Sequence, residues 1–242
     1  MISPISCSQS RKGVGLARVA DIGTFRGTTL DRAEADDLPR AQARGKQLAM
    51  RIHLVFAHPI ETSFLGVLHL RVIESLRQHG HTVDDLDLYA DNFNPVMSRQ
   101  TYVDYLDTTA NRTQARSYVD RLLAADALVL MSPVWHDGFP AILKGYFDCV
   151  FLPGVSFNIE KNHFSPALTN ITRLAAVCTY GAKRQRTLAM GDPQRRFVKR
   201  SLGEQIGPAG RSDFIALYDM DVASSETRSR YQKRVTRAFS QW

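Results

Sequence analysis

The chain has 242 residues, of which 44% are hydrophobic and 23% charged, and its formal net charge is +7. This composition suits a folded globular protein, and no apolar stretch is long enough to cross a bilayer. The three cysteines show neither an even count nor the CxxC spacing of disulfide frameworks and zinc sites, and no nucleic-acid motif accompanies the charge. We therefore expect a cytoplasmic protein without membrane insertion, metal or nucleic-acid partner.

Residues 1–49 differ in composition from the rest of the chain. They are rich in Ser, Arg, Asp, Gly and Ala, and the segment 31–47 is almost entirely polar. Such a stretch cannot bury enough apolar area to offset the entropy lost on ordering. We predict that residues 1–49 are a disordered extension or an over-extended start, and that residues 50–242 form the functional domain.

From Met50 onward, apolar strands alternate with amphipathic helices. The predicted strands are 52–57, 82–89, 127–132, 174–180 and 213–218, and the predicted helices are 63–79, 113–124, 140–151, 194–206 and 224–242. Ser63, Asp192 and Ser224 are expected to cap the helices that follow them, and residues 152–172 are expected to be irregular. Five alternating strands imply a parallel sheet covered on both faces, in either Rossmann or flavodoxin-like order.

The signatures of several common enzyme classes are absent. The sequence has no Walker A lysine motif, no HExxH and no GxSxG. The glycines of the segment 13–15 lack a third partner at dinucleotide-binding spacing and do not follow a strand, so we reject a Rossmann fingerprint there.

Three turns follow predicted buried strands, at the edge where doubly wound sheets bind ligands. The first, 58–64, leads into a helix whose N-terminus favours an anion, with hydroxyls from Thr62 and Ser63. The second, 133–138, is stiffened by proline and carries Trp135, which can pack on a flat ring or in the core. The third, 179–181, ends in a glycine that permits close backbone approach. An ordinary capped turn is the alternative for the first.

Four motifs make the chain resemble a known family over about 51–240. They are AHPIETSF, DLYADNFNPVMSR, PVWHDGFPAILKGYFDCVFLPGVSF and the TYGA turn. The sequence resembles the flavodoxin-like NAD(P)H:quinone oxidoreductases, the family of DT-diaphorase and of the modulator-of-drug-activity and potassium-efflux ancillary flavoproteins. The resemblance implies an α/β fold with a five-stranded, doubly wound parallel sheet in the order 2-1-3-4-5.

The same resemblance implies a cofactor and a reaction. Members bind FAD or FMN, take electrons from NAD(P)H and pass them to a quinone or similar acceptor by two-electron, ping-pong hydride transfer. Many are homodimers. The expected flavin-binding residues are His58, Thr62, Ser63, Phe64, Pro133, Val134, Trp135, His136, Gly138, Thr179, Tyr180 and Gly181.

The chemistry of the flavin leaves the protein two tasks, positioning and proton transfer. We assign stabilisation of the flavin N1 and O2 edge to backbone N–H groups of the turn 179–181. His136 and Tyr180 are candidate catalytic residues, and His136 is otherwise an exposed loop histidine. The basic residues Lys183, Arg184 and Arg186 meet the 2′-phosphate of NADPH or form a solvated face.

The sequence also departs from the family pattern. Leu65 stands where Asn is frequent, and His136 and Asp137 stand where aromatic residues are frequent. These differences bear on the acceptor more than on the flavin. An alternative function is a flavodoxin-like regulatory subunit that senses redox state on an ion transporter.

Overall fold

The computed structural model describes residues 48–160 and 163–242. The predicted N-terminal extension, 1–49, lies outside these residues except for its last two. Within the described ranges, no helix combines the length and the apolar composition needed to cross a membrane.

Five parallel strands form the central sheet. They are β1 (Arg51–Phe56), β2 (Thr82–Asp87), β3 (Ala127–Val134), β6 (Arg173–Tyr180) and β7 (Arg211–Leu217). A separate antiparallel pair consists of β4 (Phe157–Glu160) and β5 (His163–Pro166). The spatial order of the central sheet is β2-β1-β3-β6-β7. Counted among the strands of this sheet alone, that is 2-1-3-4-5, so the predicted flavodoxin-like order is confirmed and the Rossmann order is not found.

Within the part of the chain that the structure describes, seven α-helices connect and cover these strands. They are α1 (Phe64–Gln78), α2 (Arg99–Val103), α3 (Arg116–Leu123), α4 (Ala141–Val150), α5 (Arg184–Ala189), α6 (Pro193–Arg196) and α7 (Ser225–Phe239). A π-helix, Phe197–Leu202, continues α6, and a short 3₁₀ turn, Met220–Val222, precedes α7.

The sheet has one apolar layer on each face. Because successive strand residues point to opposite faces, Leu54 packs with α1 and α7 while its neighbour Val55 packs with α3 and α4. The apolar stripe predicted for α7 is buried in the first layer, down to Phe239 and Trp242. This two-sided burial explains why the central strands read as continuous apolar runs.

Serine residues start α1 and α7 as predicted. Ser63 accepts a hydrogen bond from the Gly66 backbone N–H at 3.1 Å, and Ser224 accepts one from Thr227 at 3.2 Å. Each satisfies one of the donors that a helix N-terminus leaves without a partner. Gly80 follows α1 with φ +86°, a conformation that glycine adopts without steric cost.

Three local predictions are wrong. Residues 152–172 contain β4 and β5, short strands that are half-buried or exposed and so lack an apolar pattern. The helices α2 and α5 were not expected, and each buries one residue, Thr101 and Thr187 respectively. Asp192 does not cap the following helix, because its carboxylate accepts hydrogen bonds from two tyrosines.

A buried polar chain ties β1 and β2 to the helices beneath them. His53 lies fully buried, with Nδ1 2.8 Å from Asp84 and Nε2 2.9 Å from the Tyr146 hydroxyl. Burial lowers the pKa of His53. Partial burial acts to raise the pKa of Asp84, but hydrogen bonds from His53 and Arg121 outweigh it and lower that pKa. This series of buried hydrogen bonds therefore favours a neutral His53 beside an ionised Asp84.

Candidate active site

The fold brings the three turns to one edge of the sheet. The strands β1, β3 and β6 are adjacent and parallel, and Val134 at the end of β3 is paired with Tyr180 at the end of β6. The rings of His58 and Trp135 lie 6.5 Å apart between centroids, so the first and second turns meet. The second and third turns enclose a cavity of about 300 Å³, lined by Val134, His136, Asp137, Tyr180, Gly181, Ala182 and Arg186.

The first turn presents polar groups at the start of a 15-residue helix. Because the Ser63 oxygen accepts from Gly66, its O–H remains able to donate to a ligand. Thr62 is exposed beside it. Nδ1 of His58 accepts from the Ile60 backbone at 3.0 Å, and partial burial lowers the pKa of this imidazole. Phe64 packs towards Tyr231 of α7, with 6.3 Å between ring centroids.

The second turn is a two-residue reversal in an uncommon backbone conformation. Trp135 and Gly138 exchange two backbone hydrogen bonds of 3.0 and 2.8 Å around His136 and Asp137. Both central residues have positive φ, 49° and 53°, as a type I′ turn requires. Non-glycine residues adopt this region at a cost, although Asp and His tolerate it better than most. The turn therefore depends on its surroundings for support.

Trp135 is not a core residue. Its side chain is 43% exposed at the sheet edge, so the core-packing alternative raised by the sequence is wrong. An exposed tryptophan beside His58 provides a flat apolar surface at the place where the turns converge. His136 is also exposed, while Pro133 is buried at the end of β3.

The third turn contributes backbone more than side chains. Tyr180 is 1% exposed, its hydroxyl donates to Asp192 at 2.9 Å, and its ring lies 4.7 Å from that of Tyr218. Burial raises the pKa of this phenol. The predicted catalytic hydroxyl of Tyr180 thus points into the interior. Gly181 is exposed, and a β-carbon there would lie 2.5 Å from the carboxylate of the exposed Asp221 side chain.

The basic residues after the third turn divide between two places. Arg186 binds the Asp137 carboxylate with two hydrogen bonds of 2.8 and 2.9 Å, so it is not free for a 2′-phosphate as the structure stands. This contact also lowers the pKa of Asp137. Arg184 lines a neighbouring cavity of about 500 Å³ with Arg230 and Arg234.

Two residues to which the sequence assigned no role in the site also reach it. Asp192 binds Tyr180, and the side-chain amide of Gln194 donates to the backbone carbonyl of Asp137. Both are nearly fully buried. Gln194 and Asp137 are 57 residues apart in the sequence, so no local sequence pattern could have predicted this contact. Among the described residues, no three His, Cys, Asp or Glu side chains form a group able to hold a metal ion.

Comparison with protein families matches residues 50–235 to the flavodoxin-like fold family. The chain belongs to this family. Over 112 residues the flavodoxin-like domain is 37% identical to the uncharacterized NAD(P)H oxidoreductase YcaK of Escherichia coli, covering 44% of this chain and 55% of that protein. It is 29% identical over 152 residues to an FMN-dependent NADH:quinone oxidoreductase of Lachnoclostridium phytofermentans, covering 61% and 73%.

A solved structure shows the same architecture. The NAD(P)H:quinone oxidoreductase from Methanothermobacter marburgensis superimposes with a TM-score of 0.69 at 25% identity, covering 80% of this chain and 98% of that one. The matched segment spans little more than half the length of several curated relatives, at 55%, 58% and 54%. The predicted family is confirmed.

Proposed function

We propose that this protein is a flavin-dependent NAD(P)H oxidoreductase that reduces quinones or similar small acceptors. The convergence of the turns after β1, β3 and β6 carries the proposal, because it places an anion-binding helix start, an exposed tryptophan and a glycine turn side by side. Relatives named as NAD(P)H and quinone oxidoreductases support it.

The residues at these turns fit FAD or FMN. The hydroxyls of Thr62 and Ser63, the start of α1 and His58 form a donor set suited to a flavin phosphate. The segment Pro133–Gly138 and the turn Thr179–Gly181 border a cavity open to a flat ring. Phe64 supports the first turn through its packing towards α7.

The chain's own groups have separate tasks in this reaction. When bound, a flavin supplies the capacity to accept and donate a hydride. Val134 lines the cavity and would exclude water from one side of it, while the exposed ring of Trp135 would help to orient the reacting rings. Backbone N–H groups of the turn 179–181 stabilise negative charge that develops at the ring edge. We infer that donor and acceptor occupy this cavity in turn, in a ping-pong order.

His136 is the candidate for proton transfer. It is exposed at the tip of the turn beside the cavity, and an imidazole can exchange a proton near neutral pH. The substitution His136→Ala should lower turnover. The matched control is His163→Ala, an exposed histidine in β5. Unchanged turnover at every pH would leave His136 a loop residue. Tyr180 contributes its backbone.

A colour and turnover test decides the proposal. Protein purified after incubation with FAD and FMN should be yellow, and adding NADH or NADPH should bleach it. Repeated turnover of the nicotinamide with a quinone, in the absence of any partner protein, would also distinguish an enzyme from a redox-sensing transporter subunit. Protein that stays colourless with excess FAD and with excess FMN would refute flavin binding.

We further propose a cytoplasmic homodimer. Cys149 and Cys178 are buried free thiols, as expected in a reducing compartment. The segment 96–106 exposes Val96, Tyr102, Val103 and Leu106, each at least 65% accessible, and such an apolar patch is typical of an association surface. Sedimentation equilibrium should give a mass twice that of the chain. The double substitution Val103→Glu with Leu106→Glu should lower this mass to that of a single chain. A wild-type monomer at all concentrations would contradict this.

A further inference from the structure

One segment connects the two turns that flank the cavity. This segment contains Arg186, Asp192 and Gln194, and we call these three residues the brace. Arg186 and Gln194 hold the side chain and the carbonyl of Asp137 in the second turn. Asp192 accepts a hydrogen bond from the hydroxyl of Tyr180, which precedes Gly181 in the third turn.

Asp192 is costly to bury in this position. It is 3% exposed and has φ 43°, in the left-handed region that favours glycine. A buried carboxylate is tolerated only when it is hydrogen-bonded, and here two phenols, Tyr180 at 2.9 Å and Tyr218 at 3.0 Å, supply the bonds. Burial and the neighbouring carboxylate raise the pKa of Tyr218 to about 12, so this phenol remains a donor at neutral pH. The residue thereby joins the ends of β6 and β7 to the start of α6.

The second turn needs outside support for the same reason. His136 and Asp137 both have positive φ and lie at the protein surface. The contacts with Arg186 and Gln194 reach Asp137 from 49 and 57 residues along the chain. Since Gln194 follows Asp192 by two residues, and both side chains are buried, a displacement of Asp192 reaches Asp137 through one intervening residue, Pro193.

We propose that the brace presets the separation of the turns 135–138 and 179–181, and that Asp192 is its positioning residue. The inference rests on the proposed flavin-binding function, because the gap that the brace fixes is the gap assigned to the flavin ring. A site held in its binding geometry before the ligand arrives loses less conformational entropy on binding. Asp192 and Gln194 do not line the cavity, so these two residues of the brace act on affinity without touching the flavin.

The decisive measurement is hydrogen exchange in the flavin-free protein. The amides of Trp135 and Gly138 are each hydrogen-bonded within the second turn, which Asp192 does not contact. Asp192→Ala should accelerate exchange of both amides at least tenfold. The matched control is Asp84→Asn, which removes a hydrogen-bonded acid at the opposite edge of the sheet and should leave both amides unchanged. Wild-type exchange of these amides in Asp192→Ala would overturn the proposal.

Flavin affinity provides the second readout. Asp192→Ala should raise the Kd for FMN at least tenfold and alter the visible spectrum of the bound flavin. Asp84→Asn should stay within twofold, at a temperature where all variants are folded. If Asp192→Ala does not fold, Tyr218→Phe removes one of the two bonds and should show both effects at a smaller size. Wild-type exchange and wild-type Kd in that variant would equally refute the brace.

The brace and the proposed function fail in different ways. Wild-type protein that binds neither FAD nor FMN would refute the proposed function. The brace could still be tested in that case, because hydrogen exchange of the amides in the turn 135–138 is measured without flavin. Flavin binding with normal exchange and normal Kd in the Asp192 variants would refute the brace alone.

Discussion

The N-cap serines of α1 and α7 allow the proposed phosphate site to be tested against a matched control. Ser63 and Ser224 cap their helices with the same backbone bond, at 3.1 and 3.2 Å, and both helices have 15 residues. Replacing an N-cap serine by alanine costs about 1 kcal/mol of stability. We therefore expect Ser63→Ala and Ser224→Ala to be destabilised by similar amounts, with each Tm lowered by roughly 2–4 °C.

Only the first of these substitutions should weaken flavin binding. The Ser63 oxygen already accepts from Gly66, which leaves its hydroxyl hydrogen for a phosphate oxygen. A hydrogen bond to a charged group contributes about 1.5–3 kcal/mol. Because about 1.4 kcal/mol corresponds to a factor of ten, the Kd for FMN should rise roughly ten- to hundredfold in Ser63→Ala. Ser224→Ala should keep the wild-type Kd.

Flavin fluorescence, titrated at a temperature well below both melting transitions, measures these constants. The difference between the two variants isolates binding from stability, since the loss of a cap is common to both. If the Kd of Ser63→Ala lies within threefold of that of Ser224→Ala, Ser63 does not bind the phosphate and the assignment of the first turn is wrong.

Three further predictions concern the site and the core. Trp135 is 43% exposed, so Trp135→Ala removes a side chain that is still more than half buried and should cost about 1–2 kcal/mol of stability. It should also weaken FMN binding about fivefold or more through lost ring contact; an unchanged Kd in the same titration would argue against stacking. Tyr146→Phe leaves Nε2 of buried His53 without its partner and should cost about 1–3 kcal/mol in urea unfolding. The control Tyr89→Phe changes a half-buried tyrosine outside the proposed dimer surface and should cost much less; equal costs would contradict this. Folding lowers the pKa of His53, so the free energy of unfolding should fall as the pH drops below 6.5, the ordinary pKa of histidine. Folding also lowers the pKa of Asp84, so this free energy should fall again below pH 3.8, the ordinary pKa of aspartate. Urea midpoints that stay flat from pH 7 to 3 would show that these groups do not control stability.

The sequence by itself determined the succession of the five central strands along the chain and the turns that follow them. Apolar runs and helical stripes are periodic over a few residues, so they identified all five strands of the central sheet and the capped starts of α1 and α7. The turns 58–64, 133–138 and 179–181 follow three of those strands directly. Since parallel strands end at one edge, their convergence follows from the fold.

The tertiary structure alone decided how the side chains at these turns are used. The sequence could not show that Trp135 is exposed while the Tyr180 hydroxyl points inward, because burial depends on which elements pack over a strand end. It also could not show the contact of Arg186 with Asp137, which lies 49 residues away in the chain. Nor could it show that Asp192 binds Tyr218 and does not cap the following helix. Local periodicity encodes elements, whereas these contacts depend on the three-dimensional proximity of residues that carry no common pattern.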